Sequence, residues 1–132
     1  MGKECNMDSE ADCRVKRSVY QSECQICLTE QDRKTVYIGT TGRVQHCRNL
    51  EHQQQIRTKS TSNALSKHHW SEHQNQIPSY KTTILRGGFR YNLDRQICES
   101  LTIETMNSDE NINLINQRSE WGGRGIPRLQ VN

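Results

Sequence analysis

Val36-Tyr37-Ile38-Gly39-Thr40-Thr41-Gly42-Arg43-Val44-Gln45-His46-Cys47-Arg48-Asn49-Leu50-Glu51-His52 is the stretch whose reading decides the fold. Val36, Tyr37 and Ile38 are β-branched or aromatic, as a half-buried strand prefers. Gly39 and Gly42 bracket two threonines, so a tight turn is expected there, with a threonine capping the helix that follows. Val44, Cys47 and Leu50 recur at i, i+3 and i+6 and predict the apolar side of that helix. Arg48 and His52, four residues apart, share a neighbouring face. A strand that ends in a tyrosine beside a helix projecting Arg and His suits the binding of a phosphodiester.

The flanking segments extend this pattern. Arg17 to Cys24 predicts a short strand with Val19 and Tyr20 at its centre, joined to a strand Thr35 to Thr40 by a polar hairpin connection, Leu28 to Lys34. Cys24 and Cys27 stand at C-x2-C spacing, from which two thiolates can hold one Zn2+. The first helix is expected to fade through the polar run Gln53 to Ser60. A second begins near Thr61–Ser62 and carries His68, His69 and His73. His68 with His73 and His69 with His73 both have zinc-histidine spacing. The C-x2-C lies too far from them for a compact ββα finger. After a break at Ile77–Tyr80, Lys81 to Arg86 predicts a third strand closed by Gly87-Gly88. Tyr91 to Met106 is the strongest helical stretch, with Asn92 as a candidate N-cap and Leu93, Ile97, Leu101 and Ile103 as its expected apolar stripe. Arg95 and Glu99 lie on a different side, where such a pair is ordinarily a weak surface contact.

Taken together, Tyr20, the C-x2-C, Tyr37-Ile38-Gly39 with Arg48 and His52, the later histidines, the Arg95-x-Ile97-x-Glu99 frame and Asn116 resemble the GIY-YIG nucleases. The order matches the zinc-containing type found in Penelope-like retroelements, over roughly Arg17 to Leu129. Ser18-Val19-Tyr20 stands where the family writes Gly-Ile-Tyr, a departure at the first position that keeps the tyrosine. The resemblance implies an α+β (α/β) fold, a small three-stranded antiparallel sheet flanked by helices, with an inserted structural zinc site. It implies Cys24, Cys27, His68 and His73 as the zinc ligands, with His69 the alternative to His68. It also implies Tyr20, Tyr37, Arg48, His52, Glu99 and Asn116 as the catalytic set, with Glu99 holding Mg2+ or Mn2+ and Glu104 its competitor. The implied activity is metal-dependent cleavage of DNA, nicking a target duplex so that a fused reverse transcriptase can prime on it with the element RNA. The expected location is then nuclear.

Composition sets the bounds. The chain has 132 residues, of which only 31% are apolar, with a single Phe, so the expected single domain has a thin core that needs a staple such as a metal. Net charge of +3 is a mild bias toward anionic partners. No run approaches the ~18 apolar residues of a membrane span, so no membrane partner is expected. The polar start, Met1 to Cys5, is unlike a signal segment, and six cysteines without one favour metal binding in a reducing compartment over a secreted disulfide frame. Residues 1–16 read as a polar leader with Cys5 and Cys13 as free thiols or ligands of a second metal, 17–129 as the domain and 130–132 as a tail. Leu114, Ser119, Glu120 and Trp121 resemble the family's closing segment, and Arg118, Arg124 and Arg128 are candidate phosphate contacts. The competing reading is a non-catalytic, zinc-stabilised module that binds nucleic acid and descends from such a nuclease.

Overall fold

The computed structural model describes residues 3–6, by their backbone, and residues 14–116. Cys13, Arg118, Trp121, Arg124, Arg128 and the boundary at residue 129 lie outside the described residues, as does the side chain of Cys5.

The chain builds strands β1 (Lys3–Asn6), β2 (Lys16–Cys24), β3 (Lys34–Val44), β4 (Tyr80–Arg86) and β5 (Ile112–Leu114), with helices α1 (Gln25–Gln31), α2 (Gln45–Arg57), α3 (Ala64–Glu72) and α4 (Asn92–Asn107). The sheet order is β1-β4-β2-β3-β5. The predicted α+β class holds, but the sheet is larger than the three antiparallel strands expected. β2, β3 and β4 are those three, β5 adds a fourth running parallel to β3, and the short β1 lies on the outer edge of β4. The addition of β5 follows from the chain turning back after α4. Its Ile112 and Leu114 pack into the same apolar layer as Val36 and Ile38.

The two faces of the sheet differ in chemistry. Tyr20, Cys24, Tyr37, Tyr80 and Ile84 point to one side, where Ile26 and Cys27 of α1, Ile56 of α2 and Ala64 and Leu65 of α3 cover them. Val19, Val36 and Ile38 point to the other, against Phe89, which precedes α4, and Ile103 of α4. This alternation is the period-2 geometry of strands.

Several local expectations are corrected. The Gly39–Gly42 segment is not a turn: β3 runs straight through it to Val44, which precedes α2 without a side-chain cap. The first part of the polar connection expected over Leu28 to Lys34 is helical, within α1, because the Cys24 thiol caps the helix start and Asp32, in the left-handed conformation, ends it. α2 ends at Arg57, within the polar run Gln53 to Ser60. Tyr91, not Asn92, is the residue before α4, and it makes no side-chain cap.

Most of the expected apolar stripes of α2 and α4 lies outside the core: of the α4 stripe Ile103 alone is buried, with Ile97 half-buried. Cys47 is exposed, as are Leu50 (47%), Leu93 (59%) and Leu101 (51%), whereas the helices bury Gln45, Asn49, His52 and Ile56, and Arg95, Glu99, Ser100 and Ile103. Both helices therefore turn mainly polar faces inward. Such faces are stable only where their hydrogen bonds are met inside the fold.

Candidate metal centre and the Tyr20 cluster

The polar face of α2 lies over the Tyr20 side of the sheet, and the contacts there begin with a glycine. Gly39 sits directly opposite Tyr20 in the β2–β3 ladder. A Cβ at that position would lie 2.4 Å from both Cζ and Oη of Tyr20 and 2.8 Å from Cε2 of Tyr37. Gly39 thus gives space for the Tyr20 ring to lie across β3 and reach α2, a role for close approach and not for a turn.

At the end of that reach, the Tyr20 hydroxyl meets His52 Nε2 at 2.7 Å and Arg48 Nε at 3.2 Å. The proton inventory follows from the neighbours. Asn63 caps α3, its Oδ1 accepting from Ser66 N at 3.0 Å, so its Nδ2 faces His52 Nδ1 at 3.1 Å. Nδ2 also donates to Gln55 Oε1. An amide donor on Nδ1 makes that nitrogen the acceptor, which leaves the proton of a neutral imidazole on Nε2, directed at Tyr20. Burial, with the Arg48 charge beside it, pushes the His52 pKa down to about 3, so the ring is neutral. Two N–H donors, from His52 and Arg48, therefore converge on one phenolic oxygen and favour negative charge there. Burial alone would weaken the positive charge of Arg48, but attraction to Tyr20, Glu51 and Tyr37 outweighs it and holds the guanidinium pKa above its ordinary value.

Arg48 also donates to Glu51 Oε1 at 3.0 Å, and Glu51 pairs with Arg43 as well. Those two hydrogen bonds, with burial opposing, keep the Glu51 carboxyl below its usual range. Behind the cluster, Ser18 Oγ donates to Gln45 Oε1 at 2.8 Å and Gln45 Nε2 to Asn49 Oδ1 at 3.0 Å. Gln45, Asn49, Asn63 and Ser18 were not among the residues singled out as site candidates. The signal was available in Gln45, Asn49, His52 and Ile56, whose 4-3-4 spacing is a helix face.

Tyr37, His52 and Tyr20 form one aromatic group, with ring centroids 5.6 Å apart for Tyr37–His52, 5.9 Å for Tyr20–His52 and 6.4 Å for the tyrosines. Tyr20 and His52 are fully buried and Tyr37 is 8% exposed, while the Arg48 side chain keeps 25% of its surface in solvent. Arg48 is thus the member of the cluster most open to an incoming ligand.

The structure brings Tyr20, Tyr37, Arg48 and His52 together and leaves Glu99 and Asn116 elsewhere. Glu99 is 2% exposed on the face of α4 that it shares with Ile103, over the opposite side of the sheet from the tyrosines. Glu104, its competitor, is exposed. Asn116 uses both ends of its amide on one backbone unit: Oδ1 accepts from Ile38 N at 2.8 Å and Nδ2 donates to Ile38 O at 2.7 Å. It continues the β5–β3 pairing by side chain and fixes the strand that carries Tyr37 and Gly39.

Cys24, Cys27, His68 and His73 form a second centre, their ligand atoms all within 4.8 Å of one another. Cys27 Sγ lies 3.4 Å from His68 Nε2 and 3.3 Å from His73 Nε2. A tetrahedral Zn2+ with bonds of about 2.3 Å to sulfur and 2.0 Å to nitrogen requires an S···N edge of about 3.5 Å. The four residues could therefore hold a metal ion such as zinc. His68, and not His69, belongs to this cluster: the His69 ring is buried outside it, with neither nitrogen hydrogen-bonded. Burial pushes the Cys24 thiol up to about 11, and burial followed by the His73 charge lowers the His68 pKa. Burial thus holds the Cys24 thiol and the His68 imidazole uncharged, and a bound cation would displace the thiol proton. Among the described residues it is the only such cluster, and no helix there is long and apolar enough to cross a membrane.

Against these two centres, comparison with known proteins offers no relative: no family model, no characterised protein and no solved structure matches the chain.

Proposed function

We propose that this chain is a DNA endonuclease domain of the GIY-YIG type, stabilised by a structural zinc ion. The observation that carries the reading is the convergence of Arg48 Nε and His52 Nε2 on the Tyr20 oxygen, with the His52 tautomer set by Asn63. In this reading Arg48 leaves Glu51 to take a non-bridging oxygen of the scissile phosphate through its fork of donors. That movement uncovers the Tyr20 oxygen, which His52 keeps hydrogen-bonded and which serves as the base for the attacking water. Tyr37 packs against His52 and holds the ring upright. Zinc on Cys24, Cys27, His68 and His73 has four protein ligands and no open position, which suits a structural role.

Glu99 is the carboxylate this reading gives to a catalytic Mg2+ or Mn2+. It is buried on the face of α4 that it shares with Ile103, over the side of the sheet opposite the tyrosines, so its position does not fit an ion at the Tyr20 cluster. The proposed steps involve Arg48, His52 and Tyr20 alone. DNA as substrate, nicking for retroelement integration beside a fused reverse transcriptase and its RNA, and a nuclear location rest on the family resemblance.

The test is conversion of supercoiled plasmid to nicked circles by zinc-loaded protein with Mg2+ or Mn2+. Arg48→Ala and Tyr20→Phe are expected to lose at least about 10²-fold in rate, the usual contribution of a phosphate clamp or general base. A folded, zinc-loaded wild type that leaves every DNA substrate intact would refute the reading. The full burial of Tyr20 favours one alternative, a non-catalytic module that binds nucleic acid and keeps the Tyr20 cluster as architecture. It predicts DNA binding without cleavage.

A further inference from the structure

Arg95 is a buried cation with no role in the site described above. It is 9% exposed, on the inward face of α4, and its Nε and Nη1 have no hydrogen-bond partner. An arginine buried in this way is costly unless an anion meets it. Its guanidinium reaches β3 at Gly42, which is exposed: a Cβ built there would lie 3.0 Å from Nη1, 3.7 Å from Nη2 and 3.8 Å from Cζ. The side chain missing at residue 42 is therefore what lets the guanidinium pack directly beneath an exposed part of the strand, with Nε and Nη1 shielded from solvent. Arg43 follows immediately and α2, with Arg48, begins three residues on. β3 thus has the Arg48 helix on one face and Arg95 on the other.

We propose that Arg95, approached at Gly42, is a second phosphate-binding residue, taking a backbone phosphate oxygen of the nucleic acid at the other side of β3 from Arg48. This rests on the nucleic-acid reading above for the identity of the ligand but not for the site itself. Gly42 serves it by absence, and an alanine would press its methyl against Nη1 and displace the fork. The φ of Gly42 is not positive, so Gly42→Ala adds no backbone strain. The competing occupant is Glu99, one turn along the same face of α4.

Two measurements separate the possibilities. In 15N-labelled, zinc-loaded chain titrated with inorganic phosphate, the Arg95 Nε–Hε resonance is expected to shift saturably, and in Gly42→Ala, where the resonance remains, to require at least about tenfold more phosphate, which is about 1.4 kcal/mol. In duplex DNA binding without added Mg2+ or Mn2+, Arg95→Gln is expected to lower the slope of log affinity against log salt by about 0.9, one phosphate contact. An Arg95 resonance indifferent to phosphate, with an unchanged slope in a wild type that binds DNA, overturns the proposal and assigns Arg95 to Glu99. A saturable phosphate shift in a wild type that binds no DNA supports the anion site and refutes the nucleic-acid reading.

Discussion

Replacing Gly39 by alanine should be among the most damaging single-methyl changes in this protein. The new Cβ would lie 2.4 Å from Cζ and Oη of Tyr20 and 2.8 Å from Tyr37 Cε2, where carbon atoms ordinarily approach to about 3.5–4.0 Å. Tyr20 has little room to retreat: it is fully buried, Ile84 faces it across β4, and its hydroxyl is held 2.7 Å from His52. Overpacking of this kind costs about 1–3 kcal/mol, and loss of the Tyr20–His52 hydrogen bond adds about 1 kcal/mol. A sum of about 2–4 kcal/mol corresponds to a melting temperature lowered by about 10 °C for a domain of this size. Thermal unfolding of the zinc-loaded protein by circular dichroism reads it directly. Adding Tyr20→Phe removes the Oη clash but not the Cζ clash, so the double variant should recover part of the loss, a measurable coupling between the two sites. A Gly39→Ala protein that melts within about one degree of wild type would show that Tyr20 does not lie across β3 as described.

Chelation of the metal, or Cys24→Ser, should remove most of the cooperative thermal transition, since structural zinc contributes on the order of 10 kcal/mol to folding in small domains; a metal-depleted chain that melts normally would show the site to be dispensable. The pH profile should carry the signature of His52, whose folded pKa is depressed from 6.5 to about 3. Stability is then full above pH 6.5 and falls below it by about 1.4 kcal/mol per unit, because only the unfolded imidazole takes the proton. His52→Gln should flatten that acid limb when compared at equal zinc occupancy. Asn116→Ala should cost about 1–3 kcal/mol by stranding both polar groups of Ile38, and hydrogen exchange should show loss of protection at the Ile38 amide; retained protection there would contradict the bidentate contact.

The three long strands were legible because Val19–Tyr20, Val36–Ile38 and Thr82–Leu85 are short β-branched or aromatic runs, and the cysteine–histidine cluster because C-x2-C and paired histidines have few other uses. The helix faces were not. Counting apolar residues put Leu50, Leu93 and Leu101 inside, whereas the fold exposes them and buries Gln45, Asn49, His52, Arg95 and Glu99. Hydrophobic periodicity assumes that a core is apolar, and it fails where a helix supplies a polar network to the sheet. The same assumption hid α1, whose cap is a cysteine thiol, a group read only as a ligand. Gly39 was noticed for the wrong property, since its lack of a side chain matters here more than its freedom to turn.

Asn63 joins the two halves of the molecule through one short side chain. One end of its amide starts α3, and the other sets which nitrogen of His52 bears the proton. α3 then runs on to His68, with His73 just past its end. Whatever occupies the cysteine–histidine centre therefore holds a lever whose short arm rests on the Tyr20 hydroxyl. A chain that loosens around an empty centre would lose, with the start of α3, the Asn63 amide that sets the His52 proton opposite that hydroxyl.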